Sequence, residues 1–66
     1  MGRKRIGGHL FVWWRGDHPP PHVHVYDGKG RFLGRLRTDT LEPIGDWKPS
    51  AKIIELVRQL REEHEL

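Results

Sequence analysis

Three of the five histidines lie within seven residues, in the segment His18-Pro19-Pro20-Pro21-His22-Val23-His24-Val25. Three consecutive prolines favour a stiff, extended polyproline conformation, so they are expected to hold His18 in a rigid loop. The residues that follow have the alternation of a strand, in which side chains two apart point to the same face with Cα atoms roughly 6.5–7 Å apart. His22 and His24 are therefore predicted to be neighbours on one face of a sheet.

Two histidines in this arrangement suit acid–base catalysis. The imidazole group titrates near neutral pH, so one ring can act as a general base while the other acts as a general acid. Tyr26 follows on the same face and could orient a reacting group or stack on a base. The candidate catalytic residues are therefore His22, His24 and Tyr26.

Arginines at alternate positions of the next predicted strand are expected on the same face as the histidines: Arg31, Arg35 and Arg37. Guanidinium groups can contact a phosphate and stabilise the negative charge that develops on it during transfer. Histidines and arginines together predict a protein that binds RNA or another nucleic acid. Metal-independent ribonuclease activity, with no cofactor, is the catalytic form of this hypothesis.

Three alternatives use the same residues. The first is a metal centre, because three imidazoles from His18, His22 and His24 with an open fourth position would suit zinc or another divalent transition metal. The second is binding without catalysis, in which the same face, with Phe11 and Trp13 exposed, contacts single-stranded RNA or a protein partner. The third is purely structural: the histidines are solvated polar residues, and the prolines protect a sheet edge.

The composition limits the class of protein. The chain has 66 residues, which predicts one domain with a thin core, and its formal net charge is +3, with arginine and lysine early and glutamate late. This distribution fits binding of a polyanion through the basic part. The chain has no cysteine and no apolar run long enough for a membrane span or a signal peptide. We expect a cytoplasmic protein without a membrane partner, for which association between copies stays open.

The expected fold is α+β, with a three- or four-stranded, mainly antiparallel sheet packed by one C-terminal helix. Within a single domain of residues 1–66, residues 1–8 are expected to form a mobile basic arm, 9–47 the sheet region and 50–63 the helix. Either Pro49 is the first helical residue or Ser50 is the N-cap. A short fourth strand between residues 41 and 44 would be interrupted by Pro43.

Strand alternation predicts which side chains face the core. In the first strand, from His9 to Arg15, the inward face is assigned to Leu10, Val12 and Trp14. Further inward positions are assigned along the two strands that follow and along the helix. The full set of predicted core residues is Leu10, Val12, Trp14, Val23, Val25, Phe32, Leu36, Ile44, Trp47, Ile53, Leu56, Val57 and Leu60.

From Asp17 to Tyr26 the sequence resembles a small prokaryotic family, domain of unknown function 4160, which carries a His-x-Pro-Pro-His-x-His core between two strands. The resemblance extends through Arg31–Leu36 and Leu41-Glu42-Pro43 to the Glu- and Arg-rich helix, and so covers most of the chain from about Gly8. It implies a component of a two-gene module of the toxin–antitoxin type. An RNA-directed activity, or binding to a small protein encoded next to it, would follow from that role. The resemblance supplies no catalytic residue that could be carried over.

Overall fold

A computed structural model describes residues 2–14, 19–64 and 66. Within these residues, five strands form one open antiparallel sheet in the order β1-β2-β3-β4-β5, and one helix follows them. The elements are β1 (Gly2–Ile6), β2 (His9–Trp13), β3 (His22–Tyr26), β4 (Phe32–Arg37), β5 (Pro43–Ile44) and α1 (Ala51–Glu62). The predicted α+β class is confirmed, with one strand more than expected.

The additional strand is β1, which occupies residues that the sequence assigned to a mobile arm. It pairs along its whole length with β2, from Gly2 opposite Trp13 to Ile6 opposite His9. The connection is the two-residue turn Gly7-Gly8, in which both φ angles are positive, at 60° and 79°. Glycine adopts such angles without a steric penalty, and two of them in succession make the tight turn of a hairpin.

Strand β2 presents the opposite face to the core from the one predicted. Phe11 has no exposed surface, whereas Leu10 and Val12 are half-buried and Trp14 is 42% exposed. The indole of Trp13 lies on the inner side as well, packed against the core and over Gly2, where it leaves no room for a Cβ atom. Both faces of this strand are apolar, so the alternation gave the correct grouping of side chains with the wrong direction.

Strands β3 and β4 determine the direction of the histidines. Val23 and Val25 are completely buried, as predicted, so His22 and His24 lie on the other side of the sheet. A register shift between Val25 and Tyr26 changes the pairing with β4, so that Val25 pairs with Gly34 and Tyr26 with Phe32. The extra residue of β4 carries Phe32 to the outer side, where it is 55% exposed, and its assignment to the core was wrong.

The helix covers the inner side of the sheet. The side chain of Ser50 accepts a hydrogen bond from the N–H of Ile53, so Ser50 is the N-cap. One stripe of the helix packs on the inner side chains of β2, β3 and β4. The buried core consists of Phe11, Val23, Val25, Leu36, Ile53, Leu56, Val57 and Leu60.

Trp47 closes the core beside the short strand β5. Its indole lies so close to Gly34 that a Cβ atom at this position would overlap it. The Nε1–H of Trp47 donates a hydrogen bond to the carbonyl of Arg35 at 2.9 Å. Trp47 and Ile44 are therefore half-buried at the rim and do not belong to the central core that the sequence assigned them to. Within the described ranges, no helix is long and apolar enough to cross a membrane.

Candidate nucleic-acid interface

The side of the sheet that faces away from α1 is called the outer face. Strand pairing assigns its members, because residues directly opposite one another in an antiparallel pair share a face. One line across the sheet joins Arg3, Val12, His24 and Arg35, and the next joins Arg5, Leu10, Tyr26 and Phe32. His22 pairs with Arg37 at the far end of the same face.

A row of aromatic rings runs over the middle of the outer face. Trp14 meets His24 edge to face, with ring centroids 4.7 Å apart, and His24 lies 6.0 Å from Phe32. Phe32 in turn contacts Tyr26 at 5.4 Å. These four residues, Trp14, His24, Phe32 and Tyr26, are named the ring row. Its two most exposed members, Trp14 and Phe32, stand on either side of His24.

Cations border the ring row on both sides. Arg3 and Arg5 stand on β1, one strand beyond β2, and both are exposed. Arg35 stands on β4 opposite His24 and is also exposed. With strands spaced roughly 4.8 Å apart, β1 and β4 are separated by about 14 Å. The outer face is thus an aromatic centre between two positive borders.

Arg37 is held by a carboxylate. Its Nε and Nη2 atoms donate to Oδ1 and Oδ2 of Asp39 at 2.9 and 2.7 Å, which is a bidentate pair. The hydrogen bonds from this guanidinium lower the pKa of Asp39 to about 2, and the same contact raises the pKa of Arg37. The positive charge of Arg37 is therefore largely compensated within the chain.

Arg31 lies outside β4, in the turn that joins β3 to β4. Its backbone N–H donates to the carboxylate of Asp27 at 2.9 Å, as does that of Lys29 at 2.8 Å. The hydrogen bond from Arg31 is the main cause that lowers the pKa of Asp27. Of the three arginines predicted to share the outer face, the structure thus brings Arg35 and Arg37 onto paired strand positions and leaves Arg31 at the turn.

The two histidines of β3 are neighbours, as expected from their spacing. Their ring centroids are 5.1 Å apart, and both side chains are half-buried. Nδ1 of His22 lies 2.8 Å from the carbonyl oxygen of Pro20. Because a carbonyl only accepts, this contact assigns the proton to Nδ1, and in the neutral ring the lone pair then lies on Nε2.

The metal alternative depends on His18, which falls outside the described residues together with Arg15, Gly16 and Asp17. Among the residues that the structure does describe, no group of three or more His, Asp or Glu side chains is arranged to hold a metal ion. His22 and His24 supply two nitrogen donors that could belong to such a site.

Sequence reasoning missed both exposed rings of the ring row and two of the cations that border it. Arg3 and Arg5 were placed in an arm, although Gly7-Gly8 between two five-residue segments is the usual pattern of a two-residue hairpin and could have located β1. Trp14 and Phe32 were assigned to the core, and no comparable pattern marks them. Phe11 and Trp13, predicted to be exposed, lie on the inner side.

Comparison with known families gives one match. The model of the family described as Domain of unknown function (DUF4160) matches residues 8–65. The chain belongs to this family. No curated protein and no solved structure matches it. The family match covers β2 through α1, and therefore includes the ring row and both histidines of β3, while β1 with Arg3 and Arg5 lies before it.

Proposed function

We propose that the outer face binds single-stranded nucleic acid, with RNA as the preferred form. The observation that carries this proposal is the ring row bordered by Arg3 and Arg5 on one side and by Arg35 on the other. Unpaired bases stack on aromatic side chains, and arginines contact the phosphates between them. Both kinds of contact are available on one surface that the helix does not cover.

The exposed rings would contact the bases, and the arginines would contact the phosphates. Trp14 and Phe32 each offer a ring surface to one base, and their centroids cannot lie farther apart than the combined 4.7 Å and 6.0 Å steps through His24. Two neighbouring bases of one strand could therefore stack on them. Arg35 is the principal phosphate contact among the predicted arginines, because Arg37 is paired with Asp39 and Arg31 stands at the turn.

Alanine at Trp14 or Phe32 is the direct test of stacking. Base–aromatic stacking is worth about 1–3 kcal/mol per base, so each substitution should weaken binding of a short unstructured RNA by roughly 5- to 150-fold. The measurement is fluorescence anisotropy with a labelled oligonucleotide. Leu33→Ala is the matched control, because Leu33 is an exposed apolar residue of the same strand and lies outside the ring row. Equal affinities for all three variants and the wild type would contradict the proposal.

A second candidate activity is cleavage of the bound RNA, favoured by the distance between the two histidine rings and by the hydrogen bond that fixes the His22 tautomer. In this reaction Nε2 of His22 removes the proton of a ribose 2′-hydroxyl. The 2′-oxygen then forms a bond to the adjacent phosphorus, and the bond from phosphorus to the 5′-oxygen breaks. His24, protonated beforehand, gives its proton to the leaving 5′-oxygen.

The products would be a 2′,3′-cyclic phosphate and a 5′-hydroxyl end, and no metal is needed. Arg35, opposite His24, would stabilise the charge that accumulates on the phosphate oxygens. Tyr26 would orient the ribose or stack on a base at the end of the ring row. This mechanism uses the predicted catalytic residues His22, His24 and Tyr26, with His22 as the base and His24 as the acid.

Glutamine at His22 or His24 tests this reaction. General acid–base groups typically contribute 10²- to 10⁴-fold, so each variant should cleave slower by about that factor. His22 lies outside the ring row, so His22→Gln should change the affinity for RNA little. The assay follows end-labelled RNA, with a 2′-deoxy residue at the cleaved position as the substrate control. His64→Gln, at the exposed end of the helix, is the protein control. Cleavage that persists in both variants or in the 2′-deoxy substrate would refute the mechanism.

The cellular role that fits such an activity is that of a component in a toxin–antitoxin-like module, acting in the cytoplasm beside a small protein encoded next to it. This part of the proposal is supported by the sequence resemblance and by the surface chemistry of the outer face. Expression of the wild-type protein should then slow growth, and expression of the Trp14→Ala variant should not. Co-purification with the neighbouring gene product, without any effect on RNA, would instead favour a non-enzymatic binding module.

A further inference from the structure

Strand β1 forms one edge of the sheet. In the described part of the chain, β1 pairs on one side only, with β2, so the polar backbone groups of the other side face outward. The strand is five residues long and contains no proline or bulge. The opposite edge, β5, has only two residues, one of which is Pro43, and is therefore a poor template for a further strand.

The charge on β1 selects what could pair with it. Arg3, Lys4 and Arg5 are consecutive, so an antiparallel second copy of β1 would place cations opposite cations. The same charges favour a strand that carries carboxylates. Lysine and arginine on edge strands also prevent indiscriminate pairing, which is consistent with an edge that rejects its own copy.

The two faces of β1 define the alternation that a partner would need. Arg3 and Arg5 are exposed on the outer face, whereas Ile6 is half-buried on the inner side and packs against the core. A strand added beside β1 would present one set of side chains to the two arginines and the other set to the rim near Ile6. Acidic residues alternating with apolar residues satisfy both faces.

We propose that β1 is a docking edge for an extended acidic segment of a partner protein, which adds a sixth antiparallel or parallel strand to the sheet. The inference goes beyond nucleic-acid binding, because the partner would pair with the backbone groups of the edge, while Arg3 and Arg5 would take part in both interactions. Recognition by strand addition takes its affinity from main-chain hydrogen bonds and its specificity from alternate side chains. In this case, the specificity comes from carboxylates opposite Arg3 and Arg5.

Amide hydrogen exchange distinguishes strand pairing from simple charge attraction, because charge attraction alone would leave the exchange rates of the β1 amides unchanged. In an edge strand, alternate N–H groups point away from the sheet and exchange with solvent, and an added strand would cover these amides. The probe is a seven-residue peptide of alternating Glu and Val. At a peptide concentration about ten times its Kd, the outward amides of Gly2–Ile6 should exchange roughly tenfold slower.

Two controls make the outcome decisive. A peptide of alternating Lys and Val should give no protection. The Arg3→Glu/Arg5→Glu variant should bind the acidic peptide at least about tenfold more weakly, whereas Lys29→Glu/Lys48→Glu, with the same change of charge at exposed positions elsewhere, should bind it like the wild type.

Four results would overturn the proposal: no protection of the β1 amides, protection only at β5, equal protection by both peptides, or equal loss of binding in the two charge-reversed variants. Protection that grows with protein concentration in the absence of peptide would also overturn it, because the edge would then pair with a second copy. Protection confined to alternate amides of β1, with the acidic peptide alone, would establish the docking edge.

Discussion

Replacing Phe11 with alanine should remove about 3–5 kcal/mol from the free energy of unfolding. Phe11 is completely buried, and its ring lies between the sheet and the helix stripe in the core. A 66-residue domain has roughly 3–10 kcal/mol of stability in total, so this variant should be partly or wholly unfolded at 25 °C.

Urea denaturation followed by circular dichroism measures this difference, and two neighbours of Phe11 provide the control. Leu10 and Val12 flank it in the same strand but belong to the outer face, where they are half-buried. Leu10→Ala and Val12→Ala should therefore each cost only about 1 kcal/mol. Loss of stability in Leu10→Ala or Val12→Ala equal to or above that of Phe11→Ala would mean that β2 faces the other way.

The direction of β2 shows where sequence reasoning reached its limit. Alternation is a statement about which residues share a face, and it grouped Leu10, Val12 and Trp14 correctly. It cannot tell which group is inside when both contain large apolar side chains. The decision depends on packing volume between sheet and helix, where Phe11 and Trp13 fit and where Gly2 leaves space for the indole.

Strand β3 was predictable for the opposite reason. Val23 and Val25 alternate with His22, His24 and Tyr26, so only one side of the strand can be buried at low cost. The helix was equally predictable, since its apolar stripe and the Ser50 cap are local properties of the sequence. The direction of Phe32 at the start of β4 was not predictable, because one extra residue of β4 at the register shift between Val25 and Tyr26 moves its side chain to the outer face.

The residues of the candidate site were also predictable only in part. The histidine pair and Arg35 were located from spacing alone, and the structure brings them together on one face. Trp14, Phe32, Arg3 and Arg5 joined them only through β1, the face of β2 and the shift in β4. The predicted site was consequently rich in titratable groups, whereas the observed surface is also rich in exposed rings and flanking cations.

Replacing Arg3, Arg5 and Arg35 together with glutamine should have the largest effect on binding. If each arginine neutralises one phosphate of a single strand, the slope of log K against log salt becomes less steep by about 2. At 0.1 M salt, the loss of three such contacts should lower affinity by about a hundredfold. All three side chains are exposed, so stability should stay close to that of the wild type.

The matched control neutralises three exposed lysines that lie off the outer face, Lys29, Lys48 and Lys52, with glutamine. Both triple variants lose the same net charge, so an effect of overall charge alone would weaken them equally and leave the same salt slope. A difference in affinity or salt slope between the two triple variants measures how much the location of the three arginines on the outer face contributes to binding. Arg37→Gln should change the slope least among the arginines of this face, because Asp39 already neutralises its guanidinium. If the lysine variant loses as much affinity as the arginine variant, attraction of the whole basic protein explains the binding, and the outer face has no special part in it.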